Sequence, residues 1–177
     1  PNFLMAYQNL FNVYIKSNKR EKAGNVLNEC LKKAPNNPLV VSNIGRFLLE
    51  EDNLNEAKKY IKKAISLKPD FWIPYNNLAT LEATIGNLLE AEKNFHKVIE
   101  INPNYVEAYV SLGEIKNDLF KINEAETFFL KSLEIRKDYV NGYCSLFRFY
   151  EKTNNLIKLK EQLNIHDGNP VIKNELL

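Results

Sequence analysis

The chain has little of what catalytic and metal-bound proteins usually draw on. Of its 177 residues only two are cysteine (Cys30, Cys144) and two are histidine (His96, His166). Neither cysteine sits in a CxxC pair, so no disulfide framework and no zinc site is indicated. A reduced, cytoplasmic setting is expected from that usage. His96 and His166 have no second His or Cys at ligand spacing, so no metal or other cofactor is expected. Six glycines leave little material for phosphate-cradling loops. Charge of one sign is also missing: 24 Lys plus Arg face 22 Asp plus Glu, a net charge of +2. A phosphate-backbone binder normally carries a strongly basic face, so no nucleic-acid partner is expected. No apolar run approaches the roughly 18 residues of a membrane-spanning helix, and no membrane partner is expected.

What the sequence does have is a period. Pro1, Pro35, Pro69 and Pro103 are spaced by 34 residues. Ala23, Ala57, Ala91 and Ala125 repeat in the same register, as do Leu10, Ile44, Leu78, Leu112 and Leu146. Small or aromatic residues follow the last series at Phe11, Gly45, Ala79, Gly113 and Phe147. Each unit reads as two amphipathic helices, A and B, with apolar residues at i, i+3, i+4 and i+7. In the second unit Val41, Ile44, Phe47 and Leu48 form the stripe of helix A; Ala57, Tyr60, Ile61, Ala64 and Ile65 form that of helix B. The recurrent alanine lets two helices approach closely. Asn18, Asp52, Asn53 and Asn87 mark the turn between helices, where Asn and Asp tolerate turn geometry. Each recurrent proline follows helix B, which it cannot continue. One hairpin cannot bury its apolar face alone, whereas a stack can, so an all-α solenoid of stacked antiparallel helix pairs is expected.

This pattern resembles the tetratricopeptide repeat family. Counting Leu4, Pro38, Trp72, Val106 and Val140 as position 1, the position-4 aromatic is Tyr7, Tyr75, Tyr109 and Tyr143, with Val41 the exception. Bulky position 24 is Leu27, Ile61, Phe95, Phe129 and Leu163. Position 27 is Cys30, Ala64, Val98 and Ser132, then His166. The resemblance implies a right-handed superhelix over residues 1–165, in units 4–37, 38–71, 72–105, 106–139 and a degenerate 140–165. Pro1, Asn2 and Phe3 match positions 32 to 34 of a preceding unit, so the sequence is expected to start inside a longer array. Leu159 replaces the recurrent alanine, and residues 166–177 are expected either to cap the array or to lead into a further domain.

The same resemblance implies that helix A lines a concave groove through positions 2, 5, 6, 9, 12 and 13. Position 6 reads Asn9, Asn43, Asn77, Ser111 and Ser145. A ladder of carboxamides at this spacing pairs with a peptide backbone regardless of its sequence, and it is similar to the asparagine ladder in the repeat region of O-GlcNAc transferases. Gln8, Asn12, Ser42, Arg46, Asn76 and Thr80 add mostly neutral amides and hydroxyls. The fourth unit contributes Glu107, Glu114 and Asp118, an acidic patch suited to a basic stretch of ligand. Arg148 and Lys152 in the fifth are of opposite sign. The family's carboxylate clamp for chaperone tails is not matched: its positions hold Gln8, Asn12, Asn43, Ile73 and Asn77, and the three cations are missing. Phe71, Trp72, Tyr105 and Tyr139 are expected to pack between units. Glu82 and Lys116 replace the usual apolar residue at position 11 in neighbouring units, and either pairing with each other or solvation is expected of them.

No nucleophile–base pair, nucleotide loop or paired carboxylates in a recess is present, so no enzyme is expected. The expected function is a protein–protein interaction scaffold binding an extended peptide or a partner helix in the groove. The alternative is the substrate-presenting repeat region of a larger enzyme, such as a glycosyltransferase or sulfotransferase.

Overall fold

A computed structural model describes residues 2–155 together with 157, 158 and 161. Leu159, Leu163, His166 and the segment 166–177 lie outside the described residues, as does Pro1. Among the described residues all regular structure is helix. The chain divides into two compact units between Ile85 and Gly86, in the turn of the third repeat.

The first unit holds α1 (Asn2–Lys16), α2 (Arg20–Lys33), α3 (Pro38–Glu50), α4 (Leu54–Leu67) and α5 (Trp72–Thr84). Odd-numbered helices are the A helices of the repeats and even-numbered ones the B helices. Helix α3 shows why a helix starts where it does. Asn37 is extended and its side-chain oxygen accepts from the N–H of Leu39 at 3.0 Å and of Val40 at 3.2 Å, while Pro38 occupies the first turn. Two orphan donors are satisfied, and the missing proline N–H costs nothing there. Two apolar clusters form the core. Phe11, Ala23, Leu27, Cys30, Val40 and Ile44 join α1, α2 and α3. Ala57, Ile61, Leu78 and Leu81 join α4 and α5. Gly45 lets α3 and α4 approach: a Cβ there would lie 2.6 Å from Ile61 Cγ1 and 3.2 Å from its backbone nitrogen.

The second unit holds α6 (Leu88–Ile101), α7 (Val106–Asp118), α8 (Ile122–Ile135) and α9 (Val140–Lys152). Helix α7 is buried over most of its circumference, through Ala108, Tyr109, Val110, Leu112, Gly113 and Ile115. Phe129 and Phe149 stand 5.4 Å apart in its core, tilted against each other, with Leu146 and Tyr150 beside them. A Cβ on Gly113 would come within 2.7 Å of the Phe129 ring, so this glycine makes room for an aromatic.

The recurrent tyrosine at position 4 has a specific task. Tyr75 donates its hydroxyl to the carbonyl of Pro69 at 3.1 Å, Tyr109 to Pro103 at 3.0 Å and Tyr143 to Lys137 at 3.1 Å. Each bond ties the first turn of an A helix to the loop that precedes it. Where Val41 interrupts the series, the equivalent Pro35 carbonyl accepts from Lys63 Nζ at 3.2 Å.

The turn from helix A to helix B is equally regular. Its left-handed residue is Asn18, Asp52, Gly86, Phe120 and Asn154 in successive repeats, with φ between 52° and 81°. At Asn18, Asp52, Phe120 and Asn154 the N–H of that residue and of the next bond back to helical carbonyls. Phe120, for example, donates to Asn117 at 2.9 Å and Lys121 to Lys116 at 2.8 Å. This is the Schellman arrangement, which satisfies the last carbonyls of an α-helix. Asn53 and Asn87 lie in the same turns, as expected, at the N-caps of α4 and α6 and with negative φ.

Buried charges are paired one repeat apart. Lys58 on α4 meets Glu82 on α5 at 2.6 Å. Glu92 on α6 meets Lys116 on α7 at 2.9 Å, and Lys116 is also bonded to Glu124 on α8. Glu126 on α8 accepts from the Tyr150 hydroxyl on α9 at 2.7 Å and from Lys158 Nζ at 2.6 Å. So position 11 of one repeat is bonded to position 21 of the repeat before it, three times over. Of the residues expected to pack between units, only Tyr139 is buried; Phe71, Trp72 and Tyr105 are half-buried.

Candidate functional site

In the first unit most of the expected groove residues are neutral, and their roles diverge. Asn9, Asn12 and Thr80 are exposed, and Asn43, Arg46 and Asn76 are half-buried. Thr80 donates to the carbonyl of Asn76 at 3.0 Å, a local bond within α5. Asn77 is different. It is buried, and its amide donates to Ser42 Oγ at 3.0 Å and to the Ser42 carbonyl at 3.2 Å. Ser42 is wholly buried as well. A rung expected to face a ligand is thus spent joining α5 to α3, because burial makes an unpaired amide too costly to leave free. Arg46 lies 5.1 Å from the Phe11 ring and 3.7 Å from Glu50. A recess by Tyr7, Gln8, Phe11 and Asn43 encloses only about 20 Å³.

The second unit gathers the charged candidates. Glu107 is partly neutralised, since Arg136 approaches it at 3.6 Å. Glu114 and Asp118 remain exposed on α7, and Arg148 is exposed on α9. Glu114 and Asp118 are one turn apart, as are Arg148 and Lys152, so each pair shares one face of its helix. These four side chains line a recess of about 200 Å³, with Phe129 and Phe149 also in its wall. Ser145, on the recess wall, donates to Glu114 at 3.3 Å. Ser111, the other hydroxyl expected in the ladder here, is half-buried. Among the described residues no ion pair takes up Asp118, Arg148 or Lys152. An acidic row on α7 and a basic row on α9 therefore border one recess without neutralising each other.

Titration shifts lie elsewhere. Burial disfavours the charge on Lys116, but its bonds to Glu124 and Glu92 outweigh that and hold its pKa above the ordinary lysine value. Burial raises and the bonds from Lys158 and Tyr150 lower the Glu126 carboxyl, and the bonds win. Glu124 is lowered chiefly by its bond from Lys116. These are pairs that hold helices together, not groups poised for proton transfer. Burial also pushes the Cys30 thiol up. Among the described residues no group of three or more His, Cys, Asp or Glu is placed to hold a metal ion. No helix among them is long and apolar enough to cross a membrane.

Asn117 and Phe149 line the recess but were not among the expected site residues. Asn117 falls at groove position 12, so the register alone would have found it. Phe149 stands at position 10, which carries no groove signal.

Helix pairs repeating every 34 residues, with tyrosine-tied loops and Schellman turns, define a helical-repeat protein. The sequence pattern of the tetratricopeptide repeat matches residues 41–71, 74–105 and 106–139, more than half of the chain. The chain belongs to the tetratricopeptide repeat family, and its fold is the all-α stack of antiparallel helix pairs. Among solved structures it is similar to PilF of Pseudomonas aeruginosa, with 16% identity and a TM-score of 0.81 over 94% of this chain and 76% of that one. It is similar to residues 41 to the end of MamA from Desulfovibrio magneticus RS-1, with 14% identity and a TM-score of 0.74 over 99% and 98% of the two chains. It is also similar to the first tetratricopeptide repeat domain of Spaghetti (RPAP3) bound to the HSP90 peptide SRMEEVD. There the identity is 20% and the TM-score 0.61, over 66% and 93% of the two chains. At these identities the likeness is one of fold. A comparison with curated protein sequences returns no match.

Proposed function

We propose that the chain is a protein–protein interaction scaffold whose A-helix face binds an extended peptide or a partner helix. The observation that carries this reading is the 200 Å³ recess between α7 and α9, bordered by unpaired charges of both signs. Charges left exposed around a concavity are available to a ligand, and a recess built on two packed helices is preorganised, so little entropy is lost on binding. The exposed Asn9 and the half-buried Asn43 are carboxamides that can add backbone contacts in the first unit. The peptide-bound Spaghetti structure supports peptide recognition by this fold, while the missing clamp cations at Gln8, Ile73 and Asn77 argue against a chaperone tail as ligand here. No catalytic role is proposed. A cytoplasmic setting fits two unpaired thiols, Cys30 and Cys144.

An array of decapeptides of varied sequence, probed with the purified chain, tests this. The chain is expected to retain a subset of peptides rich in charged residues. The double variant Glu114→Gln, Asp118→Asn is expected to lose at least about tenfold in affinity for those with Lys or Arg, roughly one charged contact. Retention of the same peptides at the same strength by the variant would rule the recess out.

A further inference from the structure

Phe120 breaks two rules at once. It sits at φ 59°, a left-handed conformation that is an outlier for a bulky residue and that the other four repeats give to Asn, Asp, Gly and Asn. The residue is 88% exposed, more than any other large apolar residue among those described. A phenylalanine here strains the backbone and buries little in return, so the fold gains little from it. Strain of that kind, held by an otherwise sound Schellman turn, points to a role outside the fold.

Its surroundings say what role. Phe120 and Ile122 border a second cavity, of about 470 Å³, which shares Asn117, Asp118 and Lys152 with the charged recess. The two cavities therefore adjoin across these three residues, and together they reach from Glu114 and Arg148 on α7 and α9 to Phe120 just beyond the end of α7. Along that path the acidic row lies on one side and the basic row on the other. Successive side chains of an extended peptide point to opposite sides. A segment lying in this channel with adjacent basic and acidic residues would turn the first to Glu114 and Asp118 and the second to Arg148 and Lys152.

We propose that Phe120 is the aromatic anchor of this channel, and that the ligand is an extended segment with a neighbouring Lys–Glu type pair and a bulky apolar residue beyond it. Glu114 and Phe120 are six residues apart, about 9 Å at the 1.5 Å rise of a helix, and an extended chain covers about 3.3 Å per residue, so the apolar residue falls about three residues from the charged pair. This rests on the peptide-binding reading of the recess. It adds to it the apolar subsite, and the order of charged pair and apolar side chain.

The test uses fluorescence anisotropy with labelled nonapeptides of glycine and serine carrying an adjacent Lys-Glu pair. One set has leucine two, three or four residues away on either side; the other has serine there. The wild-type chain is expected to bind its best leucine peptide about tenfold tighter than the serine one. Phe120→Asn restores the residue type of the first and fifth repeats, so it keeps the fold, checked by helix content and melting temperature. It is expected to abolish the leucine gain and leave the serine peptide's affinity unchanged. A wild-type chain that binds both peptides equally, or a variant that keeps the leucine gain, overturns the anchor while leaving the charged recess standing. Failure to bind any Lys-Glu peptide overturns the recess and the anchor together.

Discussion

Helices α3 and α5 in the first unit and α7 and α9 in the second occupy equivalent repeat positions, yet they use their polar side chains in opposite ways. Between α3 and α5 the amide of Asn77 is spent on Ser42. Between α7 and α9 the polar residues stay at the rim of a 200 Å³ recess, two acidic against two basic. The same scaffold thus closes one inter-repeat seam with a buried amide and spans the other only with the exposed bond from Ser145 to Glu114 at 3.3 Å. What decides is not which helix carries the residue but whether a partner lies within reach inside the fold.

The contrast breaks most severely if the wall of the open seam is removed. Phe129→Ala deletes a buried ring in contact with α7 and α9 and is expected to cost about 4 kcal/mol, read as a lower urea midpoint. Lys116→Met comes next. It strands Glu92, whose side chain is four-fifths buried, and should cost about 3 kcal/mol. Adding Glu92→Gln to that variant is expected to recover part of the loss, whereas a double variant no better than the single would show that the pair matters only for packing. Asn77→Ala sharpens the comparison from the closed side. It removes two bonds and leaves Ser42 buried, for about 1–2 kcal/mol, while Asn43→Ala is expected to change stability by less than about 0.5 kcal/mol. Equal effects of the two would mean that the closed seam is not closed by Asn77. Phe120→Asn runs the other way and is expected to stabilise the chain by about 1 kcal/mol by relieving a left-handed phenylalanine. The smallest effect is of pH. Glu124 and Glu126 have depressed pKa values in the folded chain, so their contribution is full above the usual glutamate range and is lost as pH falls from that range through their lowered folded-state values. Acid titration of the melting temperature, with Glu126→Gln as the flattened control, checks it.

The repeat register made most of the fold legible, because each recurring residue has a local cause. Proline ends a B helix, Ala23, Ala57, Ala91 and Ala125 admit a close neighbour, and position-4 tyrosine ties a loop. The site was legible only in part. Glu114, Asp118 and Arg148 could be placed on one face by counting, but the fate of Asn77 could not, since it depends on where Ser42 falls in three dimensions. Glu82 and Lys116 were visible as misplaced charges. Their partners Lys58 and Glu92 were not, because those lie a repeat earlier, on B helices that the groove pattern does not inspect. Phe120 was in plain view as the one bulky residue in a series of Asn, Asp and Gly. Only its φ and its exposure turn that oddity into an argument.

The position-21 to position-11 bonds carry a consequence for how such a chain assembles. Repeats of one shape can stack out of order, and misdocked or swapped neighbours are a standing hazard of repetitive chains. Here the junctions are chemically distinct: Lys58 to Glu82, Glu92 to Lys116, Glu126 to Tyr150. Docking the fourth repeat directly on the second would set Lys116 against Lys58, two like charges in a buried seam. At that junction the opposite signs favour the proper neighbour, so part of the order of the array is written into its interior and not only into the covalent chain.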